Sequence, residues 1–308
     1  MGKISKDTSE LIKAVAMFLV VIAHYSQWYV TQADSNIMLT LMTKLGRYGV
    51  AMFFAISGYG LVSSASKGLD LSYFKKRFLN VYFPYIIIRF VIRLLTESEW
   101  GVRAVCSWLT GFDEWFIFVI LIFYVIFYFG WKYSRHKILA ITAGVLLVSV
   151  LLAFFVDEDV WYASNLSFVV GIVFKVYEDK IVEFLSKYRV IGYIVLGMGF
   201  AICAVIYMSM AQSHQVIYLI FKVLASVLWA LLCLCIFAVY KMTSGIKLHI
   251  NSLGRFSLEC YLLHRFILNL FKGVDMAAAA IICISIAVTL VCSYIVNYLF
   301  GKMRHLLT

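Results

Sequence analysis

Proline occurs once in this 308-residue chain, at Pro84, and charged residues make up only 14% of it. A soluble domain carries about a quarter charged residues and punctuates its loops with proline, so the composition excludes an ordinary water-soluble fold. Acids are scarcer than bases, 16 Asp and Glu against 27 Lys and Arg. Long polar linkers and internal repeats are also missing, which leaves one membrane domain over residues 1–308 and no soluble domain. There is no disulfide framework. Six of the seven cysteines fall in apolar runs as small hydrophobes, and only Cys106 reads as a loop residue. Cys233 and Cys235, two apart on a helix, point in different directions and make a poor metal site, so no metal is expected.

What the chain has in abundance is apolar sequence, 64% hydrophobic residues with a mean hydropathy of +0.94. Repeated runs of 18 or more such residues are membrane-spanning helices, because a span needs about 20 residues and must satisfy its own backbone hydrogen bonds. The fold class expected is all-α, with ten helices starting near residues 11, 46, 78, 115, 138, 161, 190, 216, 252 and 277. The first run lacks the short apolar core and cleavage site of a signal peptide, so it reads as an uncleaved span. With the N-terminus cytoplasmic, the inside segments hold eighteen basic residues, including Lys67, Lys241 and Lys247. The outside ones hold four, Lys44, Arg47, Arg103 and Lys272, along with the acidic groups Glu97 with Glu99, Asp113 with Glu114, and Asp157 to Asp159. Both termini are therefore expected inside. The same topology accounts for the formal charge of +11 without any nucleic-acid partner.

The run Leu11 to Val30 carries Lys13 and His24 eleven positions apart, close to three helical turns, so both leave the helix on one face about 16 Å apart. An imidazole at that depth faces either a neighbouring helix that satisfies it or a water-filled cavity. Ser57, Gly58 and Gly60 in the second helix suit close helix packing, or leave room for a narrow ligand arm. The triplet Lys75, Lys76 and Arg77 is a topology signal that is also placed to hold phosphates. Arg89 and Arg93 share a face and need anionic partners, which Glu97, Glu99, Asp113, Glu114, Glu259 or a ligand can supply. Trp115 and the tyrosines near it suit a membrane interface. Asn165, Ser167 and Lys222 are polar at depth, pointing to an inner cavity, with Lys222 also able to snorkel outward. Late in the chain Arg255 and Glu259 lie one turn apart and can neutralise each other. Ser257, Tyr261 and His264 form a polar stripe at i, i+4 and i+7.

Taken together these residues resemble the acyltransferase 3 family, integral membrane acyltransferases that modify surface and secreted carbohydrates. The likeness covers nearly the whole chain. It rests on Lys13 and His24 with ten positions between them, on Phe53-Phe54-Ala55-Ile56-Ser57-Gly58, and on Lys76-Arg77 followed by Pro84-Tyr85. Two further stretches carry it, Asp113 to Phe116 and Leu253 to His264. Lys13 stands where many members have Arg, and Asn80 where a base is common. The resemblance implies a multi-pass protein of the cell membrane, the cytoplasmic membrane of a bacterium, that uses acetyl-CoA as acyl donor. It implies donor phosphates near Lys13, Lys75, Lys76 and Arg77, and a donor arm passing Ser57 and Gly58. His24 would act as general base or transient acyl carrier, with Arg89 or His264 steadying the oxyanion or the sugar. Arg93, Glu259, Tyr261 and Trp115 are the residues expected around a carbohydrate acceptor.

Other readings remain at this level. Helices with buried ionisable residues also describe a transporter or flippase, although no inverted repeat or broken-helix pair is visible. A silent scaffold for polysaccharide assembly is another. A third is an acyl relay to a separate extracytoplasmic transferase. The sequence expects lipid around the chain in every case.

Overall fold

The structure, a computed structural model, describes residues 3–32, 37–66, 68–96, 100–210, 215–239, 253–272, 274 and 276–307. Lys67, Glu97, Glu99, Lys241 and Lys247 lie outside the described residues. Among the described residues the regular structure is entirely helical. The first apolar run forms α1 (Lys6–Gln32), and a short α2 (Ile37–Met42) leads into α3 (Leu45–Ala65). Among the described residues nine helical stretches are long and apolar enough to cross a membrane, so the chain is a polytopic α-helical membrane protein. The expected tenth, near residue 252, is the shorter α12 (Ser257–Leu270), whose 14 residues include Glu259, His264 and Arg265.

Helix α3 is the centre of the molecule, packing against α1, α7 (Trp115–Tyr133), α9 (Leu166–Val176) and α11 (Gln215–Val239). Its small residues set the distances. A Cβ on Gly58 would meet the backbone oxygen of Phe168 in α9, and one on Gly171 would meet that of Ala55 in α3, so these two glycines let α3 and α9 approach backbone to backbone. Phe54, Phe123, Phe127 and Phe168 fill the space beside this contact and are fully buried. Helices α10 (Glu178–Ser209) and α11 form one hairpin, and α12 with α13 (Ala278–Leu307) another. Their outward faces carry Val195, Ile202, Val291 and Leu299, exposed as lipid-facing residues must be.

The third span is bent in a way that the lone proline explains. Helix α4 (Ser72–Arg77) passes through a π-helical turn, Phe78–Tyr82, into α5 (Phe83–Thr96). Pro84 has no N–H to give to the preceding turn, and the Phe83 N–H bonds to the Phe78 carbonyl five residues back. The wide turn sits between the Lys75–Arg77 triplet and the arginines farther along. Helix α10 begins at Glu178, well before residue 190. Its backbone departs from helical geometry at Tyr188, where the amphipathic segment gives way to the apolar one. Cys106 lies not in a loop but on α6 (Val102–Thr110), exposed.

Candidate active site

His24 and His264 face each other. Helix α12 lies against α1, and the two imidazole centroids are 5.1 Å apart, tilted by 36°. The His264 Nδ1–H donates to the Tyr261 carbonyl at 2.6 Å. In the neutral ring that bond leaves Nε2 as a bare acceptor, and this nitrogen is buried with no hydrogen-bond partner among the described residues. The His24 Nδ1–H donates to Gln27 Oε1 at 3.2 Å, so its Nε2 is likewise the basic nitrogen. Tyr25, buried beside them, donates to the His264 carbonyl at 3.3 Å. This ties α1 to α12 at the level of the two rings.

His24 lines a cavity of about 300 Å³, together with Gln27, Arg47, Trp115, Lys222 and Tyr261. The expected cavity role of Lys222 fits this placement: its ammonium is held by Asp159 and donates to the Tyr218 hydroxyl at 2.7 Å. Asn165, by contrast, is fully buried and donates to Ser149 at 3.0 Å. Ser167 donates to the Ser226 carbonyl at 3.3 Å. Those two residues hold helices together.

The paired arginines separate by role. Arg93 is buried and clasps Asp113 with two hydrogen bonds, 2.8 and 2.9 Å, while Ser107 donates to the same carboxylate at 2.5 Å. Burial alone would raise the Asp113 carboxyl, but the Arg93 and Ser107 hydrogen bonds win and hold it below its ordinary value. Arg89 reaches Asp113 only at 3.7 Å and Glu114 at 3.5 Å. Burial pushes the Glu114 carboxyl up to about 7, against the opposing pull of Arg89 and Arg265. The charges of Glu114, Arg265 and Arg89 all act on the buried Tyr261, and that of Arg265 acts on His24 as well. Glu114 and Arg265 thus belong to the histidine environment. In the sequence Glu114 read only as a counter-charge and Arg265 not at all, although its place beside His264 was the available signal.

A second cavity, of about 260 Å³, opens at the other end of α3 and is lined by Ser64, Asp70, Ser72, Tyr73, Lys76 and Arg77. Val50 lines the first cavity and Ser64 the second, fourteen residues apart, or roughly 21 Å along the helix. The Arg77 guanidinium lies over the Tyr73 and Tyr124 rings at 5.1 and 5.5 Å, and its Nε is buried without a partner among the described residues. Tyr124 is hydrogen-bonded in turn to Ser57. A polar line therefore runs from the second cavity inward to α3.

Four expected site residues are placed differently. Lys13 pairs with Glu10 at 2.9 Å and lines neither cavity, because an acid one turn away reaches it first. Lys75 is on the exposed face of α4. Gly58 faces the α9 backbone, which fills the space its missing side chain leaves. Glu259 is buried and accepts from Asn297 Nδ2 at 2.9 Å, and it forms no ion pair with Arg255. Asn297 also donates to the Arg255 carbonyl, and the nearby cation is Arg304 from α13. Expectation and structure differ here because the helix breaks at Phe256, so that Arg255 precedes α12 with its side chain exposed, while Asn297 of α13 reaches the Glu259 carboxylate.

No curated protein and no solved structure matches the chain. A family model described as an acyltransferase domain matches residues 8–298, which include both histidines, the lining of both cavities and all but the ends of the first and last helices. The chain therefore belongs to the acyltransferase 3 family, and it is a multi-pass membrane acyltransferase.

Proposed function

We propose that the protein is an O-acyltransferase, specifically an O-acetyltransferase of the bacterial cytoplasmic membrane. It takes the acyl group from cytoplasmic acetyl-CoA and gives it to a sugar hydroxyl of a surface polysaccharide or its lipid-linked precursor. The observation that carries this reading is the His24 ring on a cavity wall with a second imidazole 5.1 Å away. The basic residues collect on the side of Lys76 and Arg77, which makes the cavity they line cytoplasmic and the His24 cavity external. Lys76 and Arg77 suit the phosphates of the donor, as a point charge and a planar fork respectively. Lys13, already neutralised by Glu10, drops out of that role.

The chemistry is then an acyl transfer with neutral imidazoles. His24 Nε2 takes the proton from the acceptor hydroxyl as its oxygen attacks the thioester carbonyl. A C–O bond forms, the C–S bond breaks, and the departing CoA sulfur takes the proton back. In the covalent variant Nε2 attacks first, forming a C–N bond as the C–S bond breaks, and the departing sulfur takes the ring's Nδ1 proton; the acceptor oxygen then attacks, the C–N bond breaks, and the acceptor's proton returns to the ring. Cavities at opposite ends of α3 favour the covalent variant, since a carrier residue divides the crossing into two shorter transfers. Arg89 is placed to offset charge that develops near Tyr261.

The test is transfer of label from acyl-labelled acetyl-CoA by purified protein to candidate glycans. The parent is expected to label glycan and His24→Ala at matched amounts to lose about 10²–10⁴-fold in rate. Equal labelling by both proteins contradicts the role given to His24. If no acyl chemistry accompanies demonstrable CoA binding, the protein is instead a relay that requires a partner transferase.

A further inference from the structure

The His24 cavity holds more positive than negative charge. Among the described residues Lys44, Arg47 and Lys222 line it with Asp159 as the one carboxylate. Asp159 is committed to Lys222, which is buried and also bonded to Tyr218. Among the described residues neither Lys44 nor Arg47 forms an ion pair, and the charges of both bear on Lys222. Arg47 is held in place nonetheless. Its guanidinium lies 4.7 Å from the Tyr48 ring centroid and 4.4 Å from that of Tyr207, and Nη2 donates to both hydroxyls, at 2.9 and 2.5 Å. These contacts fix the head by cation–π attraction without cancelling its charge. Its Nε is buried and unpartnered among the described residues.

A cation cluster in a low-dielectric recess is costly unless an anion completes it. Lys44 is exposed and solvated at the cavity mouth, but Arg47 is half-buried, and a neutral sugar in this cavity would leave it uncompensated. We propose that the acceptor is anionic: a saccharide carrying a phosphate or carboxylate that sits between Lys44, Arg47 and Lys222 and places a neighbouring hydroxyl at His24. This inference rests on the proposed function for the identity of the cavity as the acceptor site. It adds that acceptor choice is made by charge, with Arg47 as the positioning residue for the anionic group.

The full-length protein in neutral phosphatidylcholine nanodiscs allows a binding test that needs no turnover. The probes are glucose 1-phosphate, glucuronate and glucose, measured at low and high salt. The two anionic probes are expected to bind at least tenfold tighter than glucose, with the advantage shrinking as salt rises. Arg47→Gln should weaken the anionic probes by roughly ten- to a hundredfold, the scale of a lost hydrogen bond to a charged group, and leave glucose unchanged. Lys44→Gln should act in the same direction, and Arg47→Lys should recover part of the loss, which a misfolded protein would not show. Equal binding of all three probes overturns the proposal, as does anion binding indifferent to both substitutions. Displacement of glucose 1-phosphate by phosphatidylglycerol added to the disc would make this a lipid headgroup site and also overturn it. Label transfer from acetyl-CoA is read separately, so failure of the enzyme reading and failure of the anion site are distinguishable.

Discussion

At the scale of single residues, like side chains do unlike work because their partners differ. Arg93 is closed on Asp113, so Arg93→Ala leaves a buried carboxylate without its cation and should cost about 3–5 kcal/mol of stability. Arg89, with longer contacts, should lose transfer rate on substitution while keeping most of its thermal stability; thermal melts and single-turnover rates on the two variants separate these effects. Glu114 sets a pH dependence. Its carboxyl is raised from 4.5 to about 7 by burial, so the folded state holds the proton more tightly than the unfolded chain. The contribution is fully present below 4.5 and is lost as pH rises toward 7. Melting temperature measured across that window should therefore fall more steeply for the parent than for Glu114→Gln, and parallel curves would contradict the assignment. The spacing of Lys13 and His24 correctly suggested one face of one helix. It could not show that Glu10 captures the lysine while His24 meets a ring from a segment 240 positions away, since only the tertiary fold brings α12 to α1.

At the scale of helices, hydropathy made the spans legible because lipid demands a continuous apolar run and an internally bonded backbone. Where function interrupts the run the signal fades: α12 is short and carries ionisable residues, and α10 is kinked at Tyr188. The small residues of α3 were visible, but not which of them touches another backbone. Gly49 and Gly58 do, as does Gly171 of α9 from the other side, whereas a Cβ on Gly60 would meet nothing within 4 Å. Gly171→Ala should then destabilise by about 1–3 kcal/mol through forced separation of α3 and α9, and Gly60→Ala should be near neutral. Detergent-solubilised thermal melts of the two variants read the contrast directly; equal melting temperatures would mean that the α3–α9 contact is looser than described.

At the scale of the whole molecule, one helix connects two cavities that open toward its opposite ends. One collects Lys76 and Arg77, and the other presents His24 with its partner imidazole and an excess of cations. The overall charge bias was plain in the sequence because it follows the chain. The His24 cavity was not, since its walls combine residues from α1, α3, α7, α11 and α12 with the Asp159 turn, whereas the other is lined from within residues 64–77. In the proposed function acyl groups enter at one face and leave at the other by way of His24. Its most direct test uses sealed proteoliposomes sorted for orientation, with acyl-labelled acetyl-CoA on the side of Lys76 and Arg77 and a candidate anionic glycan only on the opposite side. Labelled glycan is expected from the parent protein and none from His24→Ala. Labelling only when donor and acceptor share one side, or equal labelling by the variant, would contradict it.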